Sequence, residues 1–383
     1  MWHGVKNIFH FLIIFQCLFF SAYLLTQKNK RRLSNIILAG FLLTKAVTEI
    51  GGVFNHFEEL KRIISDAASY LFYYPSTFKF VYVPLLFLYI LSFTKKDVTF
   101  KKIYWCHFLL FFLIFFYFII QFNPGNAELI RDRLQSGNRY TLLENRLLSL
   151  AEYVQFFAYA AASLFVLKKY RQKIKEMFSS IENINLSWLN FVIYGFISWK
   201  SLRLVDEILW IATGESSVIM YVLYIFAEIA FLTFVCFMFL KGLRQPVIFV
   251  GVDENQFKRK YEKTLLSEKV KSQYKEKLIK YMEIQKPHLD PLLSLNNLAE
   301  KVDIPPHHLS QVINSCFDQN FYDFINSYRI KESQRLLLDQ PEEQKTVLEI
   351  LYETGFNSKS TFNLAFKKFT GMTPTQFKKA QDS

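Results

Sequence analysis

Along the first 240 residues the apolar positions run together in blocks separated by short polar stretches, instead of alternating. A helix that crosses the hydrocarbon core of a bilayer needs about 20 mostly apolar residues. Seven blocks reach that length: about 8–25, 34–54, 69–93, 103–122, 147–167, 187–211 and 218–240. The fourth, through Trp105, Phe111, Phe115 and Ile119, is the plainest. The third is irregular, with Pro75, Lys79 and Pro84 inside it. Pro84 is tolerated there when neighbouring helices satisfy the backbone groups it frees. Beyond the seventh block the pattern changes. Tyr261, Leu265, Val270, Tyr274, Leu278 and Tyr281 recur at threes, fours and fives among Lys and Glu. That spacing predicts an amphipathic helix over about 256–286, roughly 45 Å long. It suits a solvated tether or a pairing helix equally, since it is imperfect for a heptad. Residues 246–252 fit either a short strand or a segment resting on a membrane surface.

Composition sharpens this reading. The chain holds 42 Phe and 21 Tyr in 383 residues, and 51% of it is hydrophobic. Ordinary soluble domains are less aromatic. The basic residues are placed unevenly between the blocks. Lys28, Lys30, Arg31 and Arg32 follow the first block, and Lys95, Lys96, Lys101 and Lys102 the third. Lys168, Lys169, Arg171, Lys173 and Lys175 follow the fifth, and Lys241 and Arg244 the seventh. The opposite loops mix Arg131, Arg133, Arg139 and Arg146 with Glu128, Asp132 and Glu144, or Lys61 and Arg62 with Glu58 and Glu59. The positive-inside rule then puts the amino terminus outside and the carboxyl terminus in the cytoplasm. Block 8–25 lacks a strongly basic start and a small-x-small cleavage site, so it reads as a span and not as a signal peptide.

The last ninety residues carry different punctuation. Ser294, Leu295, Asn296, Asn297, Leu298 and Ala299 open a short helix, and the turn Asp303-Ile304-Pro305-Pro306 leads to a second, His307 to Asn314. A long helix follows from about Asn320 to Leu338. Then Val347 to Leu351 and a helix carrying Phe362, Ala365, Phe366 and Phe369 repeat the pattern. Asn357 and Ser358 are caps for that helix, Gly371 stops it, and Thr373-Pro374 starts another. Its other face holds Lys359, Ser360, Thr361, Lys367 and Lys368, the basic, hydroxyl-rich surface that a major-groove helix needs. Two helix-turn-helix units joined by one helix resemble the AraC/XylS family of bacterial transcription regulators. The resemblance rests on Leu295, Leu298, Ala299, Leu309, Arg329-Ile330, Leu336-Leu337, Gly355-Phe356, Phe362, Phe366, Lys367-Lys368, Gly371 and Thr373-Pro374. It covers roughly residues 292–380 and looks most like the branch tied to membrane domains.

The resemblance implies double-stranded DNA as partner, with His307, Ser310, Gln311 and Asn314 on the first reading helix. The second would present Lys359, Ser360, Thr361, Leu364, Lys367 and Lys368. Two positions depart from the family. Leu351 stands where the family usually has Ala, and overfilling such a contact costs about 1–3 kcal/mol and is expected to hold the second unit slightly open. Leu364 stands where many members have Arg, and Leu cannot make the bidentate contact to guanine, so the second unit should read sequence less sharply.

Enzymatic chemistry has no foothold in this sequence. Cys17, Cys106, Cys236 and Cys316 are far apart, without C-x-x-C or zinc spacing, and His307-His308 has no third ligand nearby. No P-loop, GxGxxG or kinase signature occurs, and no catalytic residue, metal or cofactor is expected. The charges inside the blocks remain. Glu49 with Lys45, then Lys79, Lys200, Arg203, Asp206, Glu207 and Glu228 are costly in hydrocarbon and should pair inside the bundle. They form either structural salt bridges or a polar sensor pocket built from Glu49, Lys79, Lys200, Arg203 and Glu228.

The sequence therefore predicts an all-α chain, a seven-helix transmembrane bundle followed by a soluble AraC-type double helix-turn-helix domain. Its expected parts are a sensor domain over 1–245, a cytoplasmic linker and amphipathic helix over 246–290, and the DNA-binding domain over 291–383. The expected role is a one-component transcription regulator in a bacterial inner membrane. Its expected partners are DNA, membrane lipid, a second copy of the chain, and a small-molecule or membrane signal. The alternative is a multi-span receptor or transporter whose helical tail recruits proteins.

Overall fold

The computed structural model describes residues 2–27, 32–56, 73–94, 102–126, 128, 130, 132–133, 142–182, 184–213, 217–244, 266–338 and 345–381. The predicted features at 57–72, 95–101 and 246–265, and most of the basic loop after the first block, lie outside these residues. Among the described residues no strand forms, and one isolated antiparallel bridge pairs Phe178 with Ser294. The chain divides into two compact units, Met1–Leu167 with Ser187–Gly251, and Lys168–Leu186 with Val252–Ser383.

The first unit holds α1 (Trp2–Thr26), α2 (Arg32–His56), α3 (Tyr74–Thr77), α4 (Lys79–Thr94), α5 (Leu109–Gln121), most of α6 (Leu142–Lys175), α7 (Ser187–Thr213) and α8 (Val218–Arg244). A 3-10 stretch, Lys102–Phe108, leads into α5. The expected irregularity of the third block is a break at Phe78, between Pro75, which starts α3, and the α4 that continues through Pro84. Among the described residues, six helical segments are long and apolar enough to cross a membrane: Gly4–Thr26, Arg32–Phe54, Tyr74–Thr94, Lys102–Gln121, Leu143–Lys175 and Val218–Leu243. The seventh expected span, α7, is a continuous helix of 27 residues, but Lys200, Arg203, Asp206 and Glu207 crowd it with charge and set it apart from the six.

Within this unit α1 packs along α2, α2 along α4, and α7 along α8. Large apolar side chains such as Phe15, Phe116, Phe165 and Phe226 point outward, while Lys45, Glu49, Lys200 and Glu228 are buried. That inversion suits a surface that meets hydrocarbon, where water cannot solvate a charge.

The second unit contains α9 (Glu268–Gln285), α10 (Leu295–Lys301), α11 (Pro306–Phe317), α12 (Phe321–Leu338), α13 (Val347–Glu353), α14 (Lys359–Thr370) and α15 (Pro374–Gln381). Local chemistry places each boundary. Ser267, Ser294 and Ser358 accept bonds from Val270 N, Asn297 N and Thr361 N, supplying partners to otherwise open first-turn amides. Thr346 and Glu349 form a reciprocal capping box at α13, and the bonds from Thr346 hold the Glu349 carboxyl below its usual range. Pro306 opens α11 and Gly371 closes α14 in the left-handed region at φ +79°.

Two apolar cores result. One gathers Leu295, Leu298, Ala299, Leu309, Ile313, Phe321, Phe324 and Ile325 with Leu278 and Met282 of α9. The second gathers Ile330, Leu337, Ile350, Leu351, Phe356, Phe362, Ala365 and Phe366. Two expectations change here. Over Glu268–Gln285 the amphipathic segment is not a free tether: Leu278 and Met282 of its apolar stripe are buried in the first core. Leu351 is fully buried in the second core, which accommodates the larger side chain instead of being held open by it.

Candidate nucleic-acid interface

Helices α11 and α14 repeat one register, 53 residues apart. Leu309, Val312 and Ile313 face inward on α11, and Phe362, Ala365 and Phe366 occupy the matching places on α14. The opposite stripe follows the same i, i+4, i+7 spacing: His307, Gln311 and Asn314 on α11, and Ser360, Leu364 and Lys367 on α14. A helix with one buried face and one polar stripe of this width can lie in a major groove, which is about 12 Å wide.

The predicted contact residues fall as follows. Asn314 is exposed, His307 and Gln311 half-buried, and all three share the outer stripe. Ser310 does not: it is only 5% exposed and lies at the edge of the buried face. The resemblance implied a DNA contact for Ser310, but at 100° per residue it falls 100° round from Gln311, between the outer stripe and the buried face. On α14, Lys359, Ser360, Lys367 and Lys368 are exposed and Thr361 is half-buried. Leu364 is 73% exposed, an apolar side chain at the centre of an otherwise polar stripe.

Lys368 is engaged in a way the sequence did not signal. Its Nζ lies 2.7 Å from Asp323 Oδ1, at the start of α12. Asp323 Oδ2 accepts from Asn320 Nδ2 at 3.1 Å, and the Asn320 side chain accepts from Asp323 N at 2.9 Å. The N-terminal cap of the connecting helix is thus tied to the last turn of α14. His308 turns toward the α9 side chain Tyr274, with ring centroids 6.0 Å apart, while the His307 ring lies tilted against His308 with centroids 3.9 Å apart.

The two cores meet around Arg329 of α12, whose guanidinium is completely buried. Nε donates to His288 O at 2.7 Å, Nη2 to Asp290 O at 2.8 Å, and Nη1 to Asn326 Oδ1 at 3.3 Å. Nη1 and Nη2 also reach Ser179 O and Ser179 Oγ, each at 3.1 Å. Burial pulls the guanidinium down to about 10, still charged at neutral pH. Gly355 presses on the same turn: a Cβ there would sit 2.8 Å from His288 O and Leu289 O, and its φ is +85°. Only glycine meets both demands. The His288 ring is itself buried, which pushes its imidazole down to about 4.

In the first unit the predicted pocket residues take different ion-pair partners but stay within electrostatic reach of one another, Glu228 of Arg203 and Glu49, and Lys200 of Lys79 and Arg203. Glu49 is bound by Lys45, one turn away, and by His10 Nδ1 at 2.5 Å. The approach of His10 needs Gly52, where a Cβ would meet the imidazole at 2.5 Å. Lys79 and Lys200 share one carboxylate, Glu152, with Lys79 Nζ 2.9 Å from Oε2 and Lys200 on Oε1. Glu152 and His10 were missed in the sequence, although Glu152 is the sole acid inside block 147–167. Arg203 pairs with Asp206 at 3.4 Å, and Glu228 is buried. A cavity of about 360 Å³ is lined by Lys6, Arg146, Tyr153, Arg203, Asp206 and Glu207 among others. Of the five predicted pocket residues only Arg203 reaches it.

Residues 298–380 match the helix-turn-helix domain family. The same part of the chain is 33% identical over 91 residues to an uncharacterized HTH-type transcriptional regulator of Staphylococcus aureus (strain COL), covering 24% of this chain and 12% of that protein. It is 30% identical over 90 residues to the melibiose operon regulatory protein of Escherichia coli (strain K12), covering 24% of this chain and 29% of the relative. The chain thus spans less than a third of either relative. Among solved structures, the C-terminal domain of AraT, a response regulator from Geobacillus stearothermophilus, aligns at 24% identity and TM-score 0.24, over 30% of this chain and 88% of that one. The carboxyl-terminal part of the chain thus carries a helix-turn-helix domain, and the relatives it matches include transcription regulators.

Proposed function

We propose that this chain is a membrane-embedded, one-component transcription regulator that binds specific DNA through its carboxyl-terminal domain. The observation that carries the reading is the pair of outward stripes, His307/Gln311/Asn314 and Ser360/Leu364/Lys367, set in one register on two separately cored helices. Phosphate contacts from Lys359, Lys367 and Lys368 supply affinity and position the domain, and the first stripe supplies base reading. Leu364 offers an apolar contact suited to a thymine methyl. Ser310, being buried, has no part in the contact set.

The bundle is the sensing part. Six apolar helices and the charged α7 cross the inner membrane with the amino terminus outside, which leaves the DNA-binding domain on the cytoplasmic side with the DNA. The paired charges around Glu49 and Glu152 fix helix packing, and a signal or self-association of the bundle alters it. Two experiments test the reading. Selection of random DNA duplexes on the full chain in lipid nanodiscs should enrich one motif with two half-sites; enrichment of none refutes DNA recognition. Reporters fused after Arg32 or Lys173 should read as cytoplasmic and one near Ser136 as external. An external signal after Lys173 would refute the orientation.

A further inference from the structure

Arg329 takes two of its bonds from a segment 150 residues away in sequence. That segment, at 177–179, follows α6 and belongs to the same compact unit as the helix-turn-helix domain. Its backbone pairs with the strand-like edge before α10: Leu295 N donates to Met177 O at 2.9 Å and Ser179 N to Leu293 O at 3.2 Å. The Ser179 hydroxyl also donates to Leu293 O at 2.7 Å. Leu295 is the first residue of α10, so its amide is one of the four that a helix cannot satisfy internally. Met177 supplies the missing acceptor. Ser179 is 1% exposed, and Met177 and Ile181 are each 8% exposed. Lys175 lies over the Tyr322 ring of α12 at 5.6 Å, and Tyr170 OH closes the segment by donating to Ile184 O at 2.9 Å.

These contacts are not those of a loop lying on a surface. Among the described residues no carboxylate bonds Arg329, and a buried guanidinium whose donors lose partners is costly. Its remaining bonds hold the turn 288–290, on which Gly355 of the second helix-turn-helix unit presses. Arg329 therefore joins the turn 288–290, on which the second helix-turn-helix unit presses, to Ser179, whose own backbone pairs with the edge before α10.

We propose that the edge at 293–295 and the Arg329 guanidinium form a docking seat for 177–179, and that occupation of this seat holds the two helix-turn-helix units in their DNA-competent arrangement. The seat is the point at which the bundle acts on DNA binding, because the docked backbone runs on into α6 at one end and α7 at the other. Withdrawal of 177–179 strips Arg329 of two acceptors and α10 of its first-turn partner. The spacing of α11 and α14 then loosens, and affinity for a two-half-site duplex falls. This inference rests on the DNA-binding reading above.

The bridge geometry offers a direct test. Phe178 and Ser294 face each other between the two backbone bonds, at a non-hydrogen-bonded pair of an antiparallel ladder. At such a pair the Cα atoms are about 4.5 Å apart, within disulfide reach. The full chain carrying Phe178→Cys and Ser294→Cys should cross-link in native membranes under mild oxidation, whereas neither single substitution should. Its affinity for the selected two-half-site duplex should be unchanged or higher after cross-linking. Ser179→Ala in the full chain should lower that affinity about tenfold, the size expected for losing a bond to a charged donor, with little change on a single half-site. Failure to cross-link, weakened binding by the cross-linked chain, or wild-type affinity in Ser179→Ala would each overturn the proposal. Cross-linking of the doubly substituted chain at this pair, with no DNA selected by the parent chain, would instead refute the function proposed above.

Discussion

Helices α11 and α14 share a buried pattern and differ in almost everything they show outward. Each sets three apolar side chains into its own core at matching positions, with aliphatic groups on α11 and two phenyl rings on α14. The outer stripe of α11 consists of groups that can donate and accept in defined directions, which is how base edges are told apart. The outer stripe of α14 has Leu364 at its centre with lysines around it, so its dominant interactions are apolar contact and charge. Under the function proposed above, one scaffold used twice thus yields one helix for reading and one for anchoring. The lesson is that a helix-turn-helix fold fixes where side chains point, and only the outward residues decide what is recognised.

The largest effect should come from the cores. Phe366→Ala should destabilise the second unit by about 3–5 kcal/mol, the usual range for a buried phenyl ring. Pulse proteolysis of the full chain should report this as easier cleavage around α14 while α11 stays protected. Equal loss of protection in both helices would show that the two cores unfold as one and would remove the comparison.

The joint between the units should respond to acid. The His288 imidazole lies at about 4 when folded, against an ordinary value of 6.5. Its contribution is therefore fully present above 6.5 and is lost as pH falls through that window toward about 4. The loss amounts to about 2–3 kcal/mol at most, allowing for partial solvent screening. His288→Phe should flatten the pH dependence of unfolding in this window. An unchanged slope would mean that another group titrates there.

Sequence reading comes next in size. Gln311→Ala should relax preference at one or two base pairs by about 1–3 kcal/mol each. Leu364→Ala should alter preference by less than about 1 kcal/mol, the loss of one apolar contact. If Gln311→Ala weakened specific and random duplexes equally, α11 would be an anchor and the contrast with α14 would fail.

The smallest effects separate two neighbouring lysines. Both Lys367→Ala and Lys368→Ala should weaken all duplexes alike and lower the salt-dependence slope by about one. Lys368→Ala should also cost about 0–1 kcal/mol of stability by releasing Asp323, an effect that Lys367→Ala lacks. Identical stability of the two variants would show that the Asp323 pair contributes nothing in solution.

The elements themselves were readable because their causes are local. Ser294, Pro306, Thr346, Ser358, Gly371 and Pro374 act on backbone groups within a few residues, and the helices start and stop where they stand. The apolar blocks were equally plain, since each residue of a lipid-facing helix meets the same surroundings and no long-range partner is required. The candidate site was legible to the precision of a helical stripe. Ser310 shows the limit: a position 100° round from the centre of the stripe is assigned to the surface or to the core by what packs beside it.

The sequence by itself therefore determined the helices, their caps, the blocks that suit a membrane and the pairing of two helix-turn-helix units. Tertiary structure alone decided that α9 closes the first core, that Glu152 serves both Lys79 and Lys200, and that Arg329 is shared between the turn 288–290 and Ser179. The physical reason is common to all three. A cap or an apolar run is satisfied by its neighbours in sequence. A buried charge or a one-sided helix needs a partner, and which one it finds depends on how the chain brings distant segments together.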